Sequence, residues 1–305
     1  MAIPRNQLVD SEHSCFYHLV SRCVRRAWLC GYDRLTRKDY THRKEWLIER
    51  LSLLGEAFAV DVYAYVIMSN HFHLVVHYDP KAPNRWTDLE VVARWLKACP
   101  PKLSDGTVDD DLLEFRRRAL LADPQYVAKL RRNLGSLSLF MKLLKQPLAR
   151  RGNLEDSVTG HFFEERYYSS PLLCEASVKS AMAYVDLNPI RAKIAQSIAD
   201  SEHTSIFERI KLLDPAQDLA EYLNPVISGL EESLRLSFTL GEYIEHLEAL
   251  YSERRGRFWS DFKLSRWRAQ IEQIGQYQRV YGPETQIIQW INHRGWQLRE
   301  AAMPQ

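Results

Sequence analysis

The 305-residue chain is 46% hydrophobic and carries 41 basic against 39 acidic residues, for a net charge of +2. That composition supports a full core and excludes a disordered or collagen-like chain, and the length suits one large domain or two ordinary ones. No apolar run approaches the roughly 18 residues that cross a bilayer, and Met1-Ala2-Ile3-Pro4-Arg5 lacks an apolar h-region, so secretion is not expected. Five cysteines (Cys15, Cys23, Cys30, Cys99, Cys174) without a CxxC pair predict reduced thiols in a cytoplasmic protein rather than disulfides or thiolate-bound zinc.

In chain order, Phe16 to Leu29 reads as a first strand, rich in β-branched and aromatic residues, with Arg22, Arg25 and Arg26 near its end. His42 to Phe58 has apolar residues at helical spacing. Val60 to Met68 and His71 to Tyr78 read as an antiparallel hairpin turned at Ser69-Asn70. Leu89 to Ala98 is a short helix stopped by Pro100 and Pro101, followed by a loop to Asp110 and helices over Asp111 to Leu121 and Gln125 to Lys145. After a polar turn at Asn153 to Gly160, His161 to Leu172 reads as a fourth strand, with Arg166 on it. Glu175 to Leu187 is a helix that Pro189 must end or kink. Beyond Ser201 the chain reads as helical, over Glu231 to Glu253, Lys263 to Gln276 and Glu284 to Trp290.

The order β-α-β-β-(α)-β-α predicts an α+β fold. Its centre is a ferredoxin-like (split βαβ) antiparallel sheet with helices on its faces. Residues 1–200 are expected to form this domain, with a long helical insertion at about 79–160. Residues 201–305 are expected to form a separate C-terminal helical domain. Two basic clusters stand out against the balanced total: Arg116 to Arg151, and Arg254 to Arg268 interleaved with Phe258, Trp259 and Trp267. Either could bind phosphates and stack on unpaired bases, or simply be a solvated helix face over core aromatics.

Chemistry concentrates in two short segments. In His71-Phe72-His73 the period of a strand puts both imidazoles on one face and Phe72, Leu74 and Val76 on the other. Such a pair can hold a divalent cation and leave positions for a phosphate. His77 shares the face and is expected at the surface; His161 is expected in a turn. In Tyr184-x-x-x-Asn188-Pro189-x-Arg191-Ala192, Tyr184 and Asn188 fall one helical turn apart. A phenol is a weak nucleophile near neutral pH and gains from a cation that polarises the phosphate it attacks. Asn188 can offer an amide oxygen to that cation, or can simply terminate the helix before proline. Arg22, Arg25, Arg26 and Arg166 could fork onto phosphates or pair with surface glutamates.

These two motifs, with Phe162-Phe163-Glu164-Glu165-Arg166-Tyr167 between them, resemble the HUH single-tyrosine transposases, and most of all their REP-associated branch, over roughly residues 14 to 196. The resemblance implies an enzyme that cuts single-stranded DNA beside small palindromic hairpins and stores the bond energy as a 5′-phosphotyrosine, without a nucleoside triphosphate. It implies Tyr184 as nucleophile, His71 and His73 with Asn188 as ligands of Mg²⁺ or Mn²⁺, and Arg22, Arg25, Arg26, Arg166 and Arg191 along the DNA. It further implies a bacterial, nucleoid-associated protein acting as monomer or homodimer. The segment 79–160 and the region after 201 exceed the compact family pattern. The alternative is a non-catalytic DNA-binding regulator derived from a transposase. A replication initiator or relaxase ranks lower, since no GxxxxGK[ST] loop is present.

Overall fold

The computed structural model describes residues 8–24, 30–33, 37–103, 106–164, 166–214, 218–253, 262–276 and 278–293. Arg25 and Arg26, together with much of the Arg254–Arg268 cluster, lie outside these residues. Four strands form the sheet: β1 (Cys15–Arg22), β2 (Val60–Ile67), β3 (His71–Tyr78) and β4 (Tyr168–Leu172). Their order is β2-β3-β1-β4, and every neighbouring pair is antiparallel. Helix α1 (His42–Ala57) links β1 to β2 across the strand that lies between them. This is the split βαβ arrangement that the pattern of elements predicts.

Between β3 and β4 the chain forms α2 (Asp88–Ala98), α3 (Asp110–Leu121), α4 (Pro124–Leu134) and α5 (Leu137–Glu155). After β4 come α6 (Glu175–Asp186), α7 (Asn188–Arg191), α8 (Ser205–Lys211), α9 (Leu240–Glu253), α10 (Phe262–Ile274) and α11 (Glu284–His293). No helix among the described residues is long and apolar enough to cross a membrane.

The sheet has two covered faces. Tyr17 and Leu19 of β1 and Phe72, Leu74 and Val76 of β3 pack on Leu47, Leu51 and Leu54 of α1 and on Phe140, Met141 and Leu144 of α5. The alternate residues of the same strands face α6 and the C-terminal elements. There Val66 and Val75 share one apolar cluster with Ala181, Val185, Leu236, Tyr243, Leu247, Ile271 and Ile274. Residues of α8, α9 and α10 are therefore part of the packing of the sheet's second face.

Several expected elements differ in extent. The first strand ends at Arg22, where Cys23 makes only an isolated bridge to Phe163. The helix expected over 125–145 is two helices: Gly135, where a Cβ would lie 2.7 Å from the Pro80 carbonyl, closes α4, and Ser136 caps α5 by accepting the Leu139 N–H. Helix α5 then runs on through Pro147. The Leu143 carbonyl, which that proline leaves without its helical donor, accepts instead from Arg50 Nε at 3.2 Å.

The fourth strand is shorter than expected: Phe162 and Phe163 enter the core ahead of it, and Arg166 is an exposed residue before β4 rather than on it. The helix expected from Glu231 begins only at Leu240. Thr239 and Glu242 close a reciprocal capping box there. His77, expected at the surface, is buried against the ring of Phe16, whereas His161 is an exposed residue outside any strand.

Candidate active site

Strand β3 sets the site's geometry. Its alternation directs His71, His73, Val75 and His77 to the second face, toward α6. The tight turn before it supplies Asn70, whose Oδ1 accepts from His71 Nδ1 at 2.6 Å. On the neighbouring strand β1, His18 lies beside His73. The rings stack 10° from parallel, and His18 Nε2 is 2.9 Å from His73 Nδ1. His71 and His73 thus each have Nδ1 engaged by a neighbour; donation from His71 Nδ1 to Asn70 leaves the lone pair of His71 on Nε2, and His73 presents its Nε2 lone pair in the tautomer in which its Nδ1 donates to His18. A hydrogen bond at one ring nitrogen fixes the tautomer at the other.

Burial keeps these rings neutral. It pushes the His18 imidazole down to about 3 and His71 to about 4. His73 falls well below the ordinary range, first through burial and then through the nearby His18, His71 and Arg22. Arg22 sits opposite His71 in the β1–β3 register and is exposed at the strand's end.

Helix α6 brings the second motif to the same place. Pro189 breaks the helix, so α6 ends at Asp186 and α7 restarts at Asn188. The Asn188 amide lies 3.4 Å from His73 Nε2. A half-turn of that amide presents Oδ1 instead of Nδ2. The Tyr184 ring stands edge-on to His73 at 5.5 Å and to His18 at 6.0 Å, and the guanidinium of Arg191 covers it at 4.8 Å. On its other side Gly275, just past α10, approaches so closely that a Cβ there would be 3.0 Å from Tyr184 Cε2. Tyr184 is 9% exposed.

A buried carboxylate holds α6 in position. Asp186 accepts from Ser205 Oγ (2.6 Å), the Ile206 N–H (3.1 Å) and the Tyr243 hydroxyl (2.7 Å). It thereby ties the tyrosine helix to α8 and α9. Burial raises its carboxyl to about 6 against the pull of these donors and of Arg209.

The structure thus gathers His71, His73, Tyr184, Asn188 and Arg191, with Arg22 at the margin. Arg166 is exposed at the approach to β4. The donor set fits a divalent cation: two neutral imidazoles whose orientation is fixed by neighbours, and an amide within hydrogen-bond distance of one of them. Not all of the expected basic surface fits nucleic-acid binding. Arg131 is spent on Asp88 and the carbonyls of Pro83 and Trp86, Arg151 stacks on Trp46, and Trp267 packs on Lys179 and His246. His18 is the site residue that reasoning from the sequence passes over. Its apolar neighbours mark only a buried strand, and nothing local reveals that β1 will lie beside β3.

No protein-family model matches the chain, and no curated protein sequence matches it. Among solved structures it is similar to one described as the structure of a REP-associated tyrosine transposase bound to a REP hairpin. The identity is 11%, with 77% of this chain and 99% of that chain covered and a TM-score of 0.36. A likeness of that size bears no functional argument, which rests instead on the residues above.

Proposed function

We propose that the protein is a metal-dependent single-stranded DNA endonuclease and strand transferase that cuts near hairpins through a tyrosine-linked intermediate. The observation that carries this reading is the convergence of Tyr184 and Asn188, from a late helix, on His73 of an early hairpin. The substrate class comes from the family that the two sequence motifs resemble.

In this reading the Tyr184 oxygen attacks the phosphorus of a phosphodiester. The bond to the 3′ oxygen breaks, the tyrosine becomes joined to the 5′ phosphate, and the phenol's proton ends on the freed 3′ hydroxyl. Reversal by another 3′ hydroxyl joins strands without further energy input. His71, His73 and Asn188 would hold Mg²⁺ or Mn²⁺, which when bound stabilises negative charge on the phosphate oxygens. Asn70 and His18 keep the two imidazoles oriented. Arg191 holds the tyrosine ring by its face, and Arg22 and Arg166, both exposed, would receive flanking phosphates.

The test is incubation of the full chain with labelled hairpin oligonucleotides and Mn²⁺, followed by a denaturing gel and mass spectrometry of the adduct. A covalent DNA adduct on the peptide carrying Tyr184, absent in Tyr184→Phe, is expected, with hairpin binding retained by the variant. Cleavage at the normal rate by Tyr184→Phe would remove the tyrosine from the mechanism. The second reading, a DNA-binding regulator without catalysis, is favoured by one observation: Tyr184 is almost enclosed, with α10 ending against its ring. Tight hairpin binding with no adduct under any metal would decide for it.

A further inference from the structure

Remote in sequence from the β3 imidazoles, the segment ahead of β1 meets the last described helix. Leu8 packs in a small apolar cluster with Val280, Ile287, Trp290 and Ile291, which fixes the final turn of α11 beside residues 8–14. At that junction the ligand atoms of Asp10, His13 and His293 all lie within 4.8 Å of one another. We infer that Asp10, His13 and His293 form a second metal site, of the two-imidazole, one-carboxylate type, that clips the N-terminal segment to α11.

Three observations support it. Asp10 is buried, at 4% exposure, and its carboxylate is fixed before any ligand arrives: Oδ1 accepts the N–H groups of Glu12 (2.7 Å) and His13 (3.1 Å). The Asp10 N–H in turn donates to the Tyr17 hydroxyl at 2.7 Å, which anchors the turn to the sheet. The remaining oxygen, Oδ2, faces His13 Nδ1 at 3.2 Å. Finally, the His13 and His293 rings approach edge-on at 5.5 Å. Two imidazoles thus stand within reach of the one carboxylate. A shared cation reconciles both with the one carboxylate.

The donors also indicate which cation. Two imidazole nitrogens with one carboxylate oxygen suit Zn²⁺, or a similar transition metal, better than Mg²⁺. Ligand atoms on one such ion stand about 3–4 Å apart, given bonds of about 2.0–2.2 Å. Both histidines are exposed, so small side-chain rotations close the set around the preset Asp10 and leave one position for water. Because the ligands come from the segment ahead of β1 and from α11, a bound ion would stabilise the native state and hold those two segments together.

Co²⁺ titration of the full chain, read by visible absorption and followed by Zn²⁺ competition and thermal melts, tests the site. Expected are tetrahedral Co²⁺ bands displaced by one equivalent of Zn²⁺, and a rise in Tm with Zn²⁺ that a chelator reverses. His13→Ala and His293→Ala, at exposed positions that leave folding intact, should each remove the bands and the Tm shift and weaken Zn²⁺ binding at least tenfold. Neither should alter hairpin binding or cleavage. Failure of the wild-type chain to show the bands, or their survival in the His13→Ala/His293→Ala double variant, overturns the assignment. Because His71 and His73 could also take Co²⁺, the titration is repeated in a His71→Ala/His73→Ala background. The bands, and their loss with His13 and His293, should persist there whatever the fate of the activity proposed above, on which this site does not rest.

Discussion

The two faces of the sheet are equally buried and chemically unlike. On the first, Tyr17, Leu19, Phe72, Leu74 and Val76 meet α1 and α5 through apolar side chains. On the second, the same two strands contribute His18, His73 and His77, while α6 adds Asp186 and α7 adds Asn188. Buried polar groups cost stability unless each finds a hydrogen bond, and the second face meets this only in part: His18 bonds His73, Asn188 bonds His73 and three donors reach Asp186, while Nδ1 of His18 and of His77 is buried without a hydrogen-bond partner. A sheet selected for stability alone has no reason to place stacked imidazoles where the opposite face uses leucine. The first face is scaffold, and the second carries the residues of the proposed site. The largest effect should come from breaking the scaffold. Phe140 is fully buried on α5 and packs edge-on with Phe58 at 5.7 Å. Phe140→Ala should cost about 3–5 kcal/mol in urea unfolding while leaving hairpin affinity of the folded fraction unchanged. A loss below about 1 kcal/mol would show that this face collapses around the cavity and is not tightly packed.

Next in size is a pH effect confined to the second face. Burial raises the Asp186 carboxyl from the ordinary 3.8 to about 6. A carboxyl whose folded value is raised stabilises the fold when protonated. That contribution is complete below pH 3.8 and is lost as pH rises through about 6. The span corresponds to on the order of 3 kcal/mol at about 1.4 kcal/mol per pH unit. Asp186→Asn cannot ionise but keeps an acceptor for Ser205 and Ile206. Its stability relative to wild type should therefore climb between pH 4 and pH 6 and level off above. Parallel stability–pH curves for the two proteins would mean that the ionised carboxylate is fully compensated by Tyr243 and Arg209.

How much of this was legible in the sequence divides along the same line. Period-2 alternation in His71 to Tyr78 fixes which residues share a face, and the order of elements leads to the split βαβ sheet. The turn between Tyr184 and Asn188 likewise follows from helical spacing. What local pattern could not convey is pairing across the sheet. Val20 faces His73 in register, which brings His18 alongside it, and only the tertiary structure decides this. The same holds for Arg50 rescuing the carbonyl beneath Pro147, and for the enclosure of Tyr184 by α10. The surface expected for His77 failed because alternation identifies a face but not what covers it.

His18 sharpens the contrast at a finer scale. His18→Phe keeps a stacked ring of similar volume and deletes the nitrogen that engages His73 Nδ1. Partners of this kind set ligand orientation, and their loss typically weakens metal binding about 10–100-fold. Mn²⁺ titration followed by electron paramagnetic resonance should show that loss in the folded variant. An unchanged affinity would reduce His18 to a packing residue and leave Asn70 as the orienting neighbour on this hairpin.

The smallest change tests whether the second face depends on position more finely than on stability. A Cβ at Gly275 would lie 3.0 Å from Tyr184 Cε2 and 3.6 Å from Cζ, tight enough that the ring must shift by a few tenths of an ångström. Replacing glycine by alanine also narrows the unfolded ensemble, a gain of about 0.4–1 kcal/mol where the backbone permits it. Gly275→Ala should therefore alter stability by no more than about 1 kcal/mol in either direction. If Tyr184 is the nucleophile, the displaced phenol should slow adduct formation by about tenfold, since reacting groups lose rate steeply with misplacement. A variant that folds normally and forms adduct at the wild-type rate would show that the ring moves readily at this contact. The closeness of α10 would then be packing of the kind found on the first face, with no bearing on the aim of the tyrosine.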